Sequence, residues 1–138
     1  MADIEGGCLC GKVRYKVSAQ PVATALCHCK HCQKATGSAF SAIFAVPKGT
    51  VEINRSALKF YADKGDSGHF VHRGFCPECG GGVMSDVEVT PALDWIRAGS
   101  LDDSSWYKPG ANIWCASAMH WVDMPEGTAE FPGNPPPG

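Results

Sequence analysis

Cys8 and Cys10, then Cys27, Cys29 and Cys32, then Cys76 and Cys79 gather seven of the chain's eight cysteines into three tight groups. Thiolates at two- and three-residue spacing are ligands for a soft or borderline metal, zinc above all. Joining the first and last groups gives four sulfurs, the closed set of a structural site. The middle group gives three, the set that leaves a coordination position for water or substrate. The count predicts two zinc ions with different jobs. One braces the fold and the other is available for chemistry.

Local geometry supports this division. In extended backbone, residues i and i+2 share a face, so Cys8 and Cys10 are expected to converge while Leu9 turns away. The run Cys76-Pro77-Glu78-Cys79-Gly80 reads as a knuckle, a tight turn whose Gly80 permits an unusual backbone angle at its end. The run Cys27-His28-Cys29-Lys30-His31-Cys32 combines both spacings, and all three sulfurs can face one ion. His28 is expected to point away. The fourth ligand is left open between water or an exchangeable thiol, which leads, and His31 or Cys115. Three thiolates around zinc carry a net charge near −1 and blunt its Lewis acidity. Such a site suits holding and handing over a thiolate better than making hydroxide.

The elements that must carry these groups are short. A chain of 138 residues is expected to be one domain, residues 1–130, burying roughly two-thirds of its unfolded surface. Sixteen glycines and ten prolines favour strands and turns over long helices. Val13, Tyr15 and Val17 alternate with Lys12, Arg14 and Lys16, which predicts a half-buried strand over 11–17. Further strands are predicted over 41–46, 51–54, 58–61, 70–75, 94–98 and 111–114. One helical turn is predicted over 30–36, stopped by Gly37. The tail from Phe131 to Gly138, with four prolines and two glycines, is expected to be extended and loose.

Composition narrows the setting. Charged residues make up 19% and the formal charge is −2, with no basic block to follow a phosphate backbone, so nucleic acid is not an expected partner. No apolar run approaches the ~20 residues of a membrane helix. Met1–Glu5 is acidic and unlike a secretory signal, so a cytoplasmic location is expected. In a reducing compartment, spaced cysteines act as metal ligands rather than disulfides. Cys8 and Cys10 would in any case close almost no loop.

Three stretches in order carry a resemblance: Gly7-Cys8-Leu9-Cys10-Gly11-Lys12-Val13-Arg14-Tyr15, then Cys27-His28-Cys29-Lys30-His31-Cys32-Gln33-Lys34-Ala35-Thr36-Gly37-Ser38-Ala39-Phe40, then Arg73-Gly74-Phe75-Cys76-Pro77-Glu78-Cys79-Gly80. With Ala98-Gly99-Ser100-Leu101-Asp102-Asp103 and Ile113-Trp114, they make the chain resemble the glutathione-dependent formaldehyde-activating enzyme family, which includes centromere protein V. The resemblance implies a mainly β fold, a β-tent of small antiparallel sheets with zinc knuckles and little helix. It implies a structural zinc on Cys8, Cys10, Cys76 and Cys79, and a catalytic zinc on Cys27, Cys29 and Cys32. The implied activity is carbon–sulfur lyase chemistry of the S-(hydroxymethyl)glutathione synthase type, with a small-molecule thiol and an aldehyde such as formaldehyde as partners.

Other residues have plainer roles as the expected ones. Lys34, Thr36, Ser38, Arg73 and Arg14 could meet a substrate carboxylate, but surface or capping duty is expected of each. Asp102 and Asp103 are expected to bond their own turn, and Trp95, Trp106, Trp114 and Trp121 to pack in the core. Two other functions compete with an enzyme: a protein-binding module with two closed zinc sites, and a redox- or zinc-responsive thiol protein whose trio oxidises on metal loss.

Overall fold

A computed structural model gives the structure of the protein and describes residues 3–135. In chain order it contains β1 (Ile4–Gly7), β2 (Arg14–Val17), β3 (Ala23–Cys27), α1 (Lys30–Thr36), β4 (Ser41–Pro47), β5 (Val51–Ile53), β6 (Lys59–Lys64), β7 (Phe70–Phe75), β8 (Gly82–Val87), β9 (Leu93–Arg97), β10 (Ala111–Ile113) and β11 (Ala129–Glu130). The fold is mainly β, as expected, and α1 occupies the predicted span.

Two sheets face each other. The small one runs β1-β2-β5 and is antiparallel throughout. The large one runs β11-β10-β3-β4-β9-β8-β7-β6. Its pairs are antiparallel except at one edge, where β10 lies parallel to both β3 and β11. No helix among the described residues is long and apolar enough to cross a membrane.

Alternation decides which face of each strand is inward. In β2, Tyr15 and Val17 are buried while Arg14 and Lys16 are exposed. They pack with Ile4 and Val13 against Phe44, Val46, Met84 and Ile96 of the large sheet. Phe44 and Val46 are fully buried, and the pairing of Phe44 with Ile96, and of Ile96 with Met84, carries one apolar row across β4, β9 and β8. The Tyr15 hydroxyl donates to Ser100 Oγ at 2.7 Å, since Ser100 spends its own proton on the Arg97 carbonyl. Asp94 lies on the same inner face and is almost wholly buried. Its charge is tolerated because Lys48 reaches it at 3.2 Å and Arg55 at 3.4 Å, with Asp86 sharing both cations.

The structure corrects several expectations. The predicted strand over 11–17 begins only at Arg14, because residues 9–10 form a turn closed by Gly11 N–H donating to the Cys8 carbonyl at 3.2 Å. Cys8 and Cys10 thus converge through a turn rather than an extended pair. Strands β1, β3, β8 and β11 were not predicted. Of the tail, Phe131 N–H bonds the Asn112 carbonyl at 2.9 Å, and the Gly133 carbonyl receives Trp114 N–H at 3.0 Å. Its first residues are therefore tied to the β10 edge, while residues 136–138 of that expected tail lie outside the described residues. Trp114 has φ of 58°, a costly left-handed conformation for a bulky residue. Its ring N–H donates to Asn134 Oδ1 at 2.9 Å, which helps hold it there.

Phe44 is the test of the shared core. Replacing it with alanine removes a fully buried ring and should cost about 3–5 kcal/mol, read as a fall in the denaturant midpoint with little change in slope.

Candidate functional site

The four outer cysteines meet where the two sheets join. Cys8 and Cys10 sit in the turn after β1, while Cys76 and Cys79 follow β7 in the predicted knuckle, with Gly80 at φ 77°. Their Sγ atoms all lie within 4.8 Å of one another. Cys76 is fully buried, and Cys8 and Cys79 pack against the hydrophobic core. Backbone N–H groups point at the sulfurs: Val13 N–H donates to Cys8 Sγ at 3.3 Å. Desolvation opposes ionisation of Cys8, but that N–H and the neighbouring thiols outweigh it and bring its pKa to about 6. The N–H groups of Cys10 and Gly81 likewise lower the Cys79 thiol. Cys8 and Cys79 are thus eased toward the thiolate that a metal ligand must be, while the same neighbouring thiols help push Cys10 up to about 11.

The middle trio is built by the β3–α1 junction. Cys27 ends β3, Cys29 is the N-cap of α1, and Cys32 lies in the helix. The N–H of Cys32 donates to the Cys29 sulfur at 3.3 Å, so the cap itself holds two members together. The three Sγ atoms are also mutually within 4.8 Å. Hydrogen bonds from Cys27 and Cys32 hold the Cys29 thiol far below its ordinary range, and Arg73 adds to this. Those same bonds push Cys27 up. All eight cysteines are free thiols. Both clusters can therefore bind a metal ion.

Each candidate fourth ligand of the trio is engaged elsewhere. His31 faces away, with Nδ1 at 3.0 Å from both Asp63 oxygens and Nε2 at 3.3 Å from Asp66. Cys115 donates to the Asn112 carbonyl at 3.5 Å. His28 is wholly buried against Phe40, with Nε2 at 3.1 Å from Asn112 Oδ1. Asn112 Nδ2 donates to Thr128 Oγ1 at 2.7 Å, and that hydroxyl donates onward to the Pro125 carbonyl. The amide is thereby oriented with its oxygen toward His28. The imidazole must then carry its proton on Nε2, leaving Nδ1 as a buried lone pair with no partner among the described residues.

Helix α1 bridges from the end of β3 to β6 and β7. Asp63 on β6 accepts from Arg73 Nε at 3.0 Å as well as from His31. Arg73, with its side chain only 13% exposed, lies near enough to Cys32 for the sulfur to favour its charge. A cation thus stands beside the trio, oriented by a carboxylate that no motif singles out. The signal was only its place opposite Val71, one diagonal from Arg73.

Other expectations sort as follows. Arg14 pairs with both oxygens of Asp102 on the surface. Asp103 accepts from Ser105 N–H at 3.0 Å, the expected turn bond. Thr36 donates to the Cys32 carbonyl at 2.8 Å and serves the helix. Lys34 and Ser38 line a cavity of about 560 Å³ with Lys30, Phe40, Met119 and Trp121, on the flank of α1 away from Cys32. Trp121 is 65% and Trp106 39% exposed, while Trp95 and Trp114 are only half-buried, which corrects the expectation that the four tryptophans pack in the core.

Comparison with known proteins gives a consistent result. The sequence matches the family described as glutathione-dependent formaldehyde-activating enzyme over residues 3–117. A Talaromyces marneffei protein provisionally given that name is 24% identical over 126 residues, covering 89% of this chain and 66% of that protein. One from Colletotrichum graminicola, also provisionally so named, is 26% identical over 105 residues, 74% of this chain and 54% of that one. An uncharacterized lyase of Schizosaccharomyces pombe is 31% identical over 80 residues, covering 58% of this chain and 55% of that one. The chain spans between half and two-thirds of the length of these relatives. The crystal structure of a Rhodobacter sphaeroides protein shares the fold, with a TM-score of 0.57 over 92% of this chain and 98% of that one, at 14% identity.

Asn112 is the keystone of the His28 network. Asn112→Ala would strand the His28 Nε2–H in the interior and should lower stability by about 1–3 kcal/mol, measured by chemical denaturation. An unchanged midpoint would show that the pair carries no weight.

Proposed function

Because the chain belongs to the glutathione-dependent formaldehyde-activating enzyme family, we propose that it is a zinc-dependent carbon–sulfur lyase that adds a glutathione-like thiol to a small aldehyde such as formaldehyde. In this reading Cys8, Cys10, Cys76 and Cys79 hold a structural zinc, and Cys27, Cys29 and Cys32 hold a second, catalytic one. The donor chemistry fits: both clusters are all-sulfur, compact and free of disulfides. The chain is read as one domain working in the cytoplasm.

The observation that carries the proposal is the trio's missing fourth ligand. His31, His28 and Cys115 are each bonded away from it, so among the described residues no side chain supplies a fourth ligand that a visiting sulfur would displace. Zinc held there would lower the pKa of an incoming thiol and keep it anionic at neutral pH. The protein's own contribution is electrostatic. Arg73, pinned by Asp63, keeps a positive charge beside the trio, where it helps lower the Cys29 thiol, and such preset charge costs no reorganisation during reaction.

The bond changes are simple. Sulfur loses its proton and bonds the aldehyde carbon; the carbonyl π pair moves to oxygen, which takes up a proton to become the hydroxyl of S-(hydroxymethyl)glutathione. In reverse, the hydroxyl proton is lost and the carbon–sulfur bond breaks.

Two substitutions separate the metal roles. Cys29→Ser should leave the protein folded, lower its zinc content from two toward one, and abolish acceleration of adduct formation followed by exchange NMR. Cys76→Ser should fail to fold. If Cys29→Ser also unfolds, the second metal is structural. If wild type with two zinc ions shows no acceleration over the spontaneous reaction, the protein is not this lyase.

A further inference from the structure

The large sheet has a second face, turned away from the core, and the trio sits over it. Parity fixes its members. Cys27 and Ala25 of β3, Ile43 of β4, Trp95 and Arg97 of β9, Ser85 of β8 and Arg73 of β7 all project to this side. Arg97 pairs with Ile43, whose other neighbour is Ala25, two residues from Cys27.

Arg97 is held by a gap in the neighbouring strand. Its guanidinium lies against Gly82, where a Cβ would collide with the guanidinium carbon and one of its nitrogens. Only glycine leaves that space. The head group is thereby laid against β8, on the sheet face that Arg73 shares. Arg73 has Asp63 as its counterion. Arg97 has no carboxylate partner among the described residues.

A half-buried guanidinium beside a second guanidinium has only the Cys32 sulfur, which Arg73 shares, to favour its charge. Burial opposes its charge first, and Arg73 adds repulsion. Arginine does not escape by losing its proton. Its planar donor fork suits a carboxylate and can form two parallel hydrogen bonds to one. The missing partner is therefore an anion delivered from outside, at a place that a thiol bound at the trio would put its own substituents.

We propose that Arg97, propped on Gly82 beside Arg73, binds a carboxylate of the thiol substrate and selects carboxylate-bearing thiols over neutral ones. This deepens the lyase reading and rests on it for the identity of the ligand as a thiol. Arg97 is a specificity-determining residue, and Gly82 positions it.

The test uses the zinc-loaded full chain and two ligands whose sulfur is capped: S-methylglutathione and its dimethyl ester, in which both carboxylates are masked. Dissociation constants are measured by NMR titration, and zinc content is measured alongside. Wild type should bind the acid roughly 10-fold or more tighter than the ester, the size of a charge-assisted hydrogen bond. Arg97→Gln should bring that ratio close to one with two zinc ions retained. Arg97→Lys should recover part of it, and Gly82→Ala should weaken it by displacing the guanidinium. A ratio unmoved by Arg97→Gln, or absent in wild type, overturns the proposal. So does loss of the second zinc in Arg97→Gln with the ratio intact, since Arg97 would then serve only to balance the trio. Adduct formation in wild type is scored separately. Its absence alongside a normal acid preference sinks the lyase reading and leaves the anion site standing.

Discussion

Everything in this structure turns on four sulfurs, from Cys8, Cys10, Cys76 and Cys79, being brought within 4.8 Å of each other at the seam between two sheets. The small sheet has three strands of three or four residues each, too little surface to be stable by itself. It is secured from one side by the apolar contacts of Tyr15 and Val17 with Phe44 and Met84. From the other it is secured at the β1–β2 turn, which carries half of the sulfur cluster. The remaining half comes from the β7–β8 knuckle, so a metal held there would clamp the far ends of a 66-residue separation. Closing so long a loop restricts the unfolded chain, and the binding free energy of the metal becomes folding free energy.

The trio obeys a different constraint. Its sulfurs are fixed by an extended residue and a helix cap, and both are local features. What surrounds it comes from distant strands. Asp63 holds both His31 and Arg73, which draws one imidazole off the cluster and keeps one guanidinium beside it. His28 is drawn off as well, by an asparagine 84 residues later in the chain. A closed site is converted into an open one by hydrogen bonds that compete for its would-be ligands.

This contrast explains how much of the molecule could be read from sequence. The division into four and three sulfurs, the knuckle and helix α1 follow from spacing, because each is decided within a few residues. The strands with clear alternation or firm breakers, such as Phe70–Phe75, were legible too. β3, Ala23–Cys27, was not: its small residues give no period, and its identity is set by pairing with β4. β8 opens on Gly82 after two further glycines, a pattern that reads as a turn, when in fact the missing side chain is what Arg97 occupies. The Cys8–Cys10 turn differs from the extended pair expected because convergence on a shared point matters more than backbone type. The tail through Gly133 is ordered by the edge of β10, a partner no local rule reveals.

Metal at the four-sulfur cluster, rather than at the trio, is expected to complete the fold. Amide hydrogen exchange on metal-stripped protein, repeated after one and then two equivalents of zinc, tests it directly. The first equivalent should slow exchange across β2 and the β7–β8 knuckle together, and the second should alter only amides around α1. Full protection of β2 without zinc, or protection that arrives only with the second equivalent, would contradict it.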